Sequence, residues 1–474
     1  MNSADITSLS PFIILTVTSV IVMVAIAFHR SHTLTVALTL AGLALAAVSI
    51  PCASAVAPRQ ITSLFLIDRY ALYYIGLILT ASFAVSALSY SYLETQIGHH
   101  EEFSLLLLLA TLGCIVLPAA SHFATFFLGI EILSVSLYAM TAYLRHSNKS
   151  IEAGVKYLIL AAVSSSFILF GMALIYAKTG SMEFREVALR VPGGAVHGLA
   201  FLTGTGMILV GLGFKLALVP FHLWTPDVYE GAPAPVTAFI ATASKGAVFA
   251  LVLRYFGMID IHAYPSLLLI ITAVAIASMF AGNLLALLQT NMKRILAYSS
   301  ISHLGYLLVT VLATGEAAAT AAAFYLTAYF ITTLGAFGVV TALSRRDGDA
   351  ESMREYEGLA WRRPWLAGVF TAMLFSLAGI PLTAGFVGKF YVVAAGAGSA
   401  LWLAVIVLAI NSVIGLFYYL RIVAALYTRS NEEAAPAGIS CLDSAVLAGL
   451  TILLLAFGTY PGPLIDIIKN AMPF

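Results

Sequence analysis

Five titratable side chains lie inside stretches that are otherwise apolar. They are Glu131 in FFLGIEILSVSL, Lys215 in GLGFKLALVP, Lys245 in TAFIATASKGAVFALVL, His303 in YSSISHLGYLLVTV and Lys389 in TAGFVGKFYVV. A charge held at the centre of a bilayer costs about 2.5–3.5 kcal/mol on insertion scales. Snorkelling or pairing for helix packing accounts for any one of these residues more easily than for all five, because three lysines have one intramembrane carboxylate to share. What the set has in common is a side chain that takes up and releases a proton. It reads as a proton relay through apolar surroundings.

The spacing adds to that reading. Glu131 precedes Lys215 by 84 residues, and His303 precedes Lys389 by 86. Each interval begins at a titratable residue in one apolar span and ends at a lysine in a Pro- and Gly-interrupted span two helices later. The two units are five spans apart, an odd offset, so they cross the membrane in opposite directions. Inverted repeats of this kind carry their transport site near the midplane, where the helices are broken. In the first break, GLGFKLALVPFHLWTPDVYEGAP, Pro220 removes a backbone donor and disfavours helix in the residue before it. Irregular backbone at membrane depth is tolerated only beside protein or water, so a polar pocket is expected next to Lys215. Burial disfavours a charged lysine and a nearby carboxylate favours it. A Glu131 that approaches or leaves Lys215 therefore works as a switch, worth on the order of 4 kcal/mol for a unit pair at 4 Å and an effective dielectric of 20.

The elements that must position these residues are membrane helices. The chain has 474 residues, 61% hydrophobic and 9% charged, with a mean hydropathy of +0.99; a soluble protein carries roughly a quarter charged residues. Apolar runs of about 20 residues recur along its length without the alternation of barrel strands. The expected fold is an all-α polytopic membrane protein of fourteen spans, at 10–28, 33–50, 69–92, 103–119, 122–144, 153–177, 199–223, 235–257, 265–288, 293–313, 318–342, 365–395, 400–427 and 442–461. The seventh and twelfth are discontinuous. One transmembrane domain, 1–474, is expected: N-terminal spans in 1–102, a first repeat of spans 4–8 in 103–257, a second of spans 9–13 in 265–427, and a final span and C-terminus in 442–474. The longest polar connections are Lys178–Val191 and Arg345–Arg363. The apolar run from Pro11 reads as a retained span rather than a cleaved signal. Odd-numbered loops hold thirteen Lys and Arg, Arg346 among them, and even-numbered loops with the C-terminus hold seven. By the positive-inside rule the odd loops face the cytoplasm and both termini face the other side.

Other chemistry is not indicated. A net charge of +1 suggests no nucleic-acid partner. Cys52, Cys114 and Cys441 are far apart, whereas zinc and iron–sulfur sites need clustered thiolates; they read as small buried hydrophobes. No Gly-rich nucleotide fingerprint or phosphate loop occurs, so no metal, cofactor or redox centre is expected in this chain. His222 suits a relay or a backbone-capping role equally. Asp227 and Glu230 read as membrane-edge residues that cap the following helix, with proton uptake as the alternative. Ser164, Ser165, Ser166, Thr242 and Ser244 can hold waters or pack helices. Tyr298, Tyr306, Tyr325 and Tyr329 read as packing residues, and Lys156 and Arg254 as snorkelling span ends.

These residues resemble those of a known family. The stretch FKLALVPFHLWTPDVYEGAPAPVTAFIATASKGAVF, residues 214–249, and NMKRILAYSSISHLGYLL, residues 291–308, are similar to the antiporter-like membrane subunits of respiratory complex I, the proton-pumping NADH:quinone oxidoreductase. The WTPDVYEGAP wording, a lysine rather than a glutamate at Lys389 and the absence of a long C-terminal lateral helix match its N-type members. The resemblance covers nearly all fourteen spans. It implies that Glu131 and Lys215 form a buried pair, that Lys245 bridges, that His303 lies on the central relay and that Lys389 is the terminal site toward the outside. It implies NADH, FMN, iron–sulfur clusters and quinone in other subunits, and an M-type neighbour on one side with small subunits K, J and A on the other. It also implies an indirect link to the peripheral redox arm and a place in the lipid of a bacterial inner membrane. A stand-alone or Mrp-type cation/proton antiporter, or the equivalent subunit of a ferredoxin- or hydrogenase-linked pump, would use the same residues.

Overall fold

The computed structural model describes residues 2–190, 199–259, 263–345, 348–429 and 439–472; Arg346 and Val191 lie outside the described residues. Among those described, thirteen helices are long and apolar enough to cross a membrane. They are Ser10–Phe28, His32–Val56, Arg69–Glu94, Glu101–Ala119, Phe123–Thr141, Asn148–Thr179, Leu199–Leu216, Ala234–Met258, Pro265–Leu287, Met292–Leu312, Gly315–Leu343, Trp402–Tyr427 and Cys441–Thr459. The twelfth span is a pair of shorter apolar helices, Pro364–Ala378 and Ala384–Gly398. The expected all-α membrane fold is therefore present. A short antiparallel hairpin, Arg59–Ile61 with Phe65–Ile67, and a terminal helix, Gly462–Ala471, are additions that the apolar pattern does not signal.

Hydropathy and burial run in opposite directions, as lipid-facing surfaces require. The first span has a hydropathy of 2.5 and buries a third of its residues, while the tenth has 1.6 and is wholly buried. The eighth and eleventh are also nearly enclosed. Lys245 and His303 thus sit on central helices, surrounded by protein on all sides. Small residues let these helices close. A Cβ at Gly113 of the fourth span would lie 2.6 Å from the Leu133 nitrogen of the fifth, and one at Gly282 of the ninth would lie 2.6 Å from the Ser302 nitrogen of the tenth. Only glycine admits backbones this close.

The two membrane faces separate cleanly. On the face of the odd-numbered loops, Lys149 pairs with Glu230 and Glu351, Lys156 with Asp227, Arg294 with Asp227 and Glu230, and Lys293 with Asp349. On the other face Arg254 meets Asp68. Both chain ends lie on that second face: the helix Ser3–Ser8 packs against the hairpin, and Met472 lines a cavity with Asp68 and Arg254.

Several expectations need correction here. Arg254 does not snorkel. It is buried, donates to Asp68 at 2.6 and 3.1 Å and to the Pro118 carbonyl at 2.6 Å, and lies over the Tyr70 ring. Lys156, by contrast, does carry its half-exposed ammonium out to the odd-loop face, where it binds Glu152 and Asp227. Asp227 and Glu230 do not cap the next helix, which starts after Pro233 without a side-chain cap. Of the cysteines only Cys114 is buried; Cys52 and Cys441 are exposed on this chain.

Candidate proton relay

The first break follows Leu216. Ala217 adopts a left-handed backbone (φ 60°), and Leu218 N–H closes onto the Gly213 carbonyl at 2.8 Å. The freed groups find the partners that burial demands: the Trp224 indole donates to the Phe214 carbonyl at 3.0 Å, and Val219 N–H to Ser278 Oγ of the ninth span at 3.0 Å. Lys215 is thereby fixed in the last helical turn, buried, and aimed at the fifth span. Its ammonium donates to Ser134 Oγ at 2.7 Å. Glu131, one turn before Ser134 on the same face, instead accepts from Ser165 Oγ of the sixth span at 2.5 Å. The two charges are neighbours without an ion pair, each held by a hydroxyl.

Lys245 follows a π-helical turn, Ile240–Ser244, inside the eighth span; such bulges re-aim side chains and recur at functional sites. Its Nζ donates to Ser300 Oγ at 2.6 Å and lies 5.3 Å from the centre of the Tyr229 ring. Tyr329 of the eleventh span also donates to Ser300, at 2.7 Å. One turn further along the tenth span, His303 is bonded through Nδ1 to the Tyr325 hydroxyl at 2.6 Å and through Nε2 to the Tyr419 hydroxyl at 3.2 Å. Tyr419 in turn meets Ser299. A cavity of about 10 Å³ lined by His303, Tyr325, Tyr329, Thr332, Ser376 and Leu377 is near the smallest space that holds one water.

The second break closes on a lysine. Gly379, at φ 85°, ends the helix Pro364–Ala378. Lys389, from the second half of the span, reaches back to donate to the Leu377 and Ala378 carbonyls at 3.0 and 2.9 Å, and to Ser412 Oγ at 2.9 Å. An ammonium at a helix C-terminus satisfies orphan carbonyls and complements the dipole. Gly379 is required twice, for its backbone conformation and because a Cβ would come within 2.9 Å of Lys389 Cδ.

Two groups result. Glu131, held by Ser165, and Lys215, held by Ser134 one turn from Glu131, form one. Lys245, His303 and Lys389 form the other, joined through Ser300, Tyr329 and the small cavity whose Leu377 carries the carbonyl bound by Lys389. Between them lies an aromatic layer in which Tyr157 stacks on Trp224 (4.9 Å) and Trp224 packs on Phe214 (5.3 Å).

Comparison with known proteins decides the family. Residues 120–415 match the model of the family described as NADH:quinone oxidoreductase/Mrp antiporter, TM, a stretch that contains all five candidate residues. NADH-quinone oxidoreductase subunit N of Ectopseudomonas mendocina (strain ymp) is 48% identical over 98% of this chain and 96% of its own length. The protein of the same description from Nitrosospira multiformis is 51% identical with the same coverage. This chain belongs to the NADH-quinone oxidoreductase subunit N family. A chain of respiratory complex I from Thermus thermophilus with bound aureothin superposes with a TM-score of 0.84 at 32% identity, covering 97% of this chain and 99% of that one.

In this subunit N chain the short helix Trp224–Gly231 is anchored at the odd-loop face. Asp227 accepts from Lys156 and Arg294, and Glu230 from Lys149 and Arg294. Partial burial alone would raise both carboxyls, but these hydrogen bonds outweigh it and hold both below the usual carboxylate range. The sequence reading missed Ser134, Ser300, Ser412 and Tyr419 as partners and took Tyr325 and Tyr329 for packing. Ser134 is Glu131 plus three and Ser300 is His303 minus three, so a hydroxyl one turn from a buried charge was the available signal. His222 is buried beside the Pro220 backbone, with which its ring makes a hydrogen bond, as a capping role requires.

Proposed function

We propose that this chain carries protons across a bacterial inner membrane, as a membrane-arm subunit of a proton-translocating NADH:quinone oxidoreductase, through Glu131, Lys215, Lys245, His303 and Lys389. The observation that carries this reading is that each of these five titratable groups is bonded to a side-chain hydroxyl, Glu131 to Ser165, Lys215 to Ser134, Lys245 to Ser300, His303 to Tyr325 and Lys389 to Ser412. Buried charges that serve only packing are paired with opposite charges, as Arg254 is with Asp68. A hydroxyl both gives and takes a proton. Protons would be taken up from the odd-loop face, pass through the Lys215 group to the Lys245 and His303 group, and leave beyond Lys389.

Moving one charge against 100 mV costs about 2.3 kcal/mol, so the energy comes from quinone reduction in other subunits. Those subunits would supply NADH oxidation through FMN, iron–sulfur clusters and quinone. Among the described residues no group of His, Cys, Asp or Glu side chains could hold a metal ion. The neighbours in the arm would be an M-type subunit on one side and subunits K, J and A on the other. The two five-helix units, each with a broken helix, would act as inverted repeats. Glu131→Ala and Lys215→Ala, each in the assembled complex in inverted membrane vesicles, test the reading. Both are expected to lose most NADH-driven acidification and NADH:quinone turnover, and parental pumping in both would end the assignment.

A further inference from the structure

The relay described so far has a gap, and the stretch that fills it carries unused polar atoms. Thr225 Oγ1 is buried with no hydrogen-bond partner among the described residues, the buried His222 ring turns to the Pro220 backbone, and the buried Tyr229 hydroxyl faces Ser300. All three belong to the segment between the first break and the helix of Lys245. Buried polar groups with so few partners are rare and call for an explanation. Tyr229 has the most informative surroundings. It is fully enclosed, its ring lies beneath Lys245, and Ser300 and Tyr329 are beside it on the Lys245 side. Tyr157 of the sixth span is also its neighbour. Tyr157 packs edge-on against Tyr138 at 5.5 Å, and Tyr138 lies beside Ser134 and Glu131. The aromatic layer that divides the two groups is thus threaded by phenols. Ser300 completes the case: it accepts from both Lys245 and Tyr329 and is left with a proton of its own to exchange.

We propose that Tyr229, with Tyr157 behind it, is the hydroxyl bridge over which protons pass from the Lys215 group to the Lys245 group. This rests on the relay reading above. In one hop the Tyr229 oxygen takes a proton arriving from the Lys215 side while its own proton leaves for Ser300, and Ser300 gives its own proton to Lys245 in its uncharged amine form, the state in which Lys245 accepts from Ser300 rather than donating to it. At Tyr229 and at Ser300 one O–H bond forms and one breaks, an N–H bond forms on Lys245, and both hydroxyls end neutral. Neither step needs the phenol to ionise.

The test is Tyr229→Phe and Tyr157→Phe, with Lys215→Ala as the reference, each in assembled complex within inverted vesicles and normalised to complex content. Phenylalanine keeps the ring, its packing and the face beneath Lys245, and removes only the hydroxyl. Tyr229→Phe is expected to slow coupled turnover and acidification roughly tenfold, at the low end of what losing a positioned proton-transfer group costs, and to raise the H₂O/D₂O rate ratio. A purely structural ring would leave that ratio unchanged. Parental rates in Tyr229→Phe, with Tyr229→Leu impaired and Lys215→Ala silenced, would overturn the bridge and leave the function standing. Parental pumping in Lys215→Ala would overturn both.

Discussion

The arrangement around Lys215 predicts a switch that two serines keep in balance. Lys215 donates to Ser134 at 2.7 Å and Glu131 accepts from Ser165 at 2.5 Å. Ser134 and Glu131 are one turn apart on one helix face, where side chains are about 5–6 Å from each other. A small swing of either chain would exchange the two hydroxyl bonds for a direct ion pair. The pair would gain on the order of 4 kcal/mol at 4 Å and an effective dielectric of 20. It would lose two hydrogen bonds to charged groups, each worth about 1.5–3 kcal/mol, so the two states differ by roughly 2 kcal/mol or less. Removing one hydroxyl, as in Ser165→Ala or Ser134→Ala, tilts the balance toward the pair by about 1.5–3 kcal/mol. At 1.36 kcal/mol per decade that is roughly a 10- to 150-fold shift in population. A relay that must visit both states slows when one is held. Acidification by inverted vesicles and NADH:quinone turnover should fall together in Ser165→Ala and Ser134→Ala, with complex content unchanged. Ser165→Thr, which keeps the hydroxyl, should retain most activity. Parental rates in both alanine variants would refute the reasoning.

Two further outcomes follow from the membrane faces. Asp227 and Glu230 have carboxyls held below their ordinary range by Lys149, Lys156 and Arg294, so their contribution is present above the unfolded carboxylate value of about 4 and is lost as pH falls through the lower folded value. Hydrogen exchange of the Trp224–Gly231 amides, corrected for intrinsic rate, should stay level from pH 8 to about pH 5 and rise only below about 4. A rise already at pH 6 would contradict the sign. On the other face, Asp68→Asn or Arg254→Met leaves one member of a buried pair unmatched, at a cost of about 3–5 kcal/mol. Assembled complex, read on native gels, should drop in each single variant and recover in part in the double variant Asp68→Leu/Arg254→Met; a double variant no better than the worse single would contradict this.

The buried charges were legible in the sequence because lipid makes each of them costly, and the breaks were legible because Pro220 and Gly379 interrupt apolar runs. Their partners were not. A serine in an apolar helix usually bonds its own backbone, as Ser136 does with Ile132 and Ser166 with Ala162; Ser165 turns outward to Glu131, and only the neighbouring helix determines which occurs. Arg254 was misread because its carboxylate is 186 residues away, beyond any local pattern. The matched intervals of 84 and 86 residues also conceal a difference. Lys215 lies before its break and bonds one hydroxyl, whereas Lys389 lies after its break and caps the helix end that precedes it. Moving Lys389 would strip two buried carbonyls of a partner, at about 1–3 kcal/mol each. Moving Lys215 would free a single hydroxyl that also donates to Ile130. The two broken helices are therefore unequal in this chain: the first holds its lysine loosely enough to exchange partners, and the second holds its lysine as part of the fold.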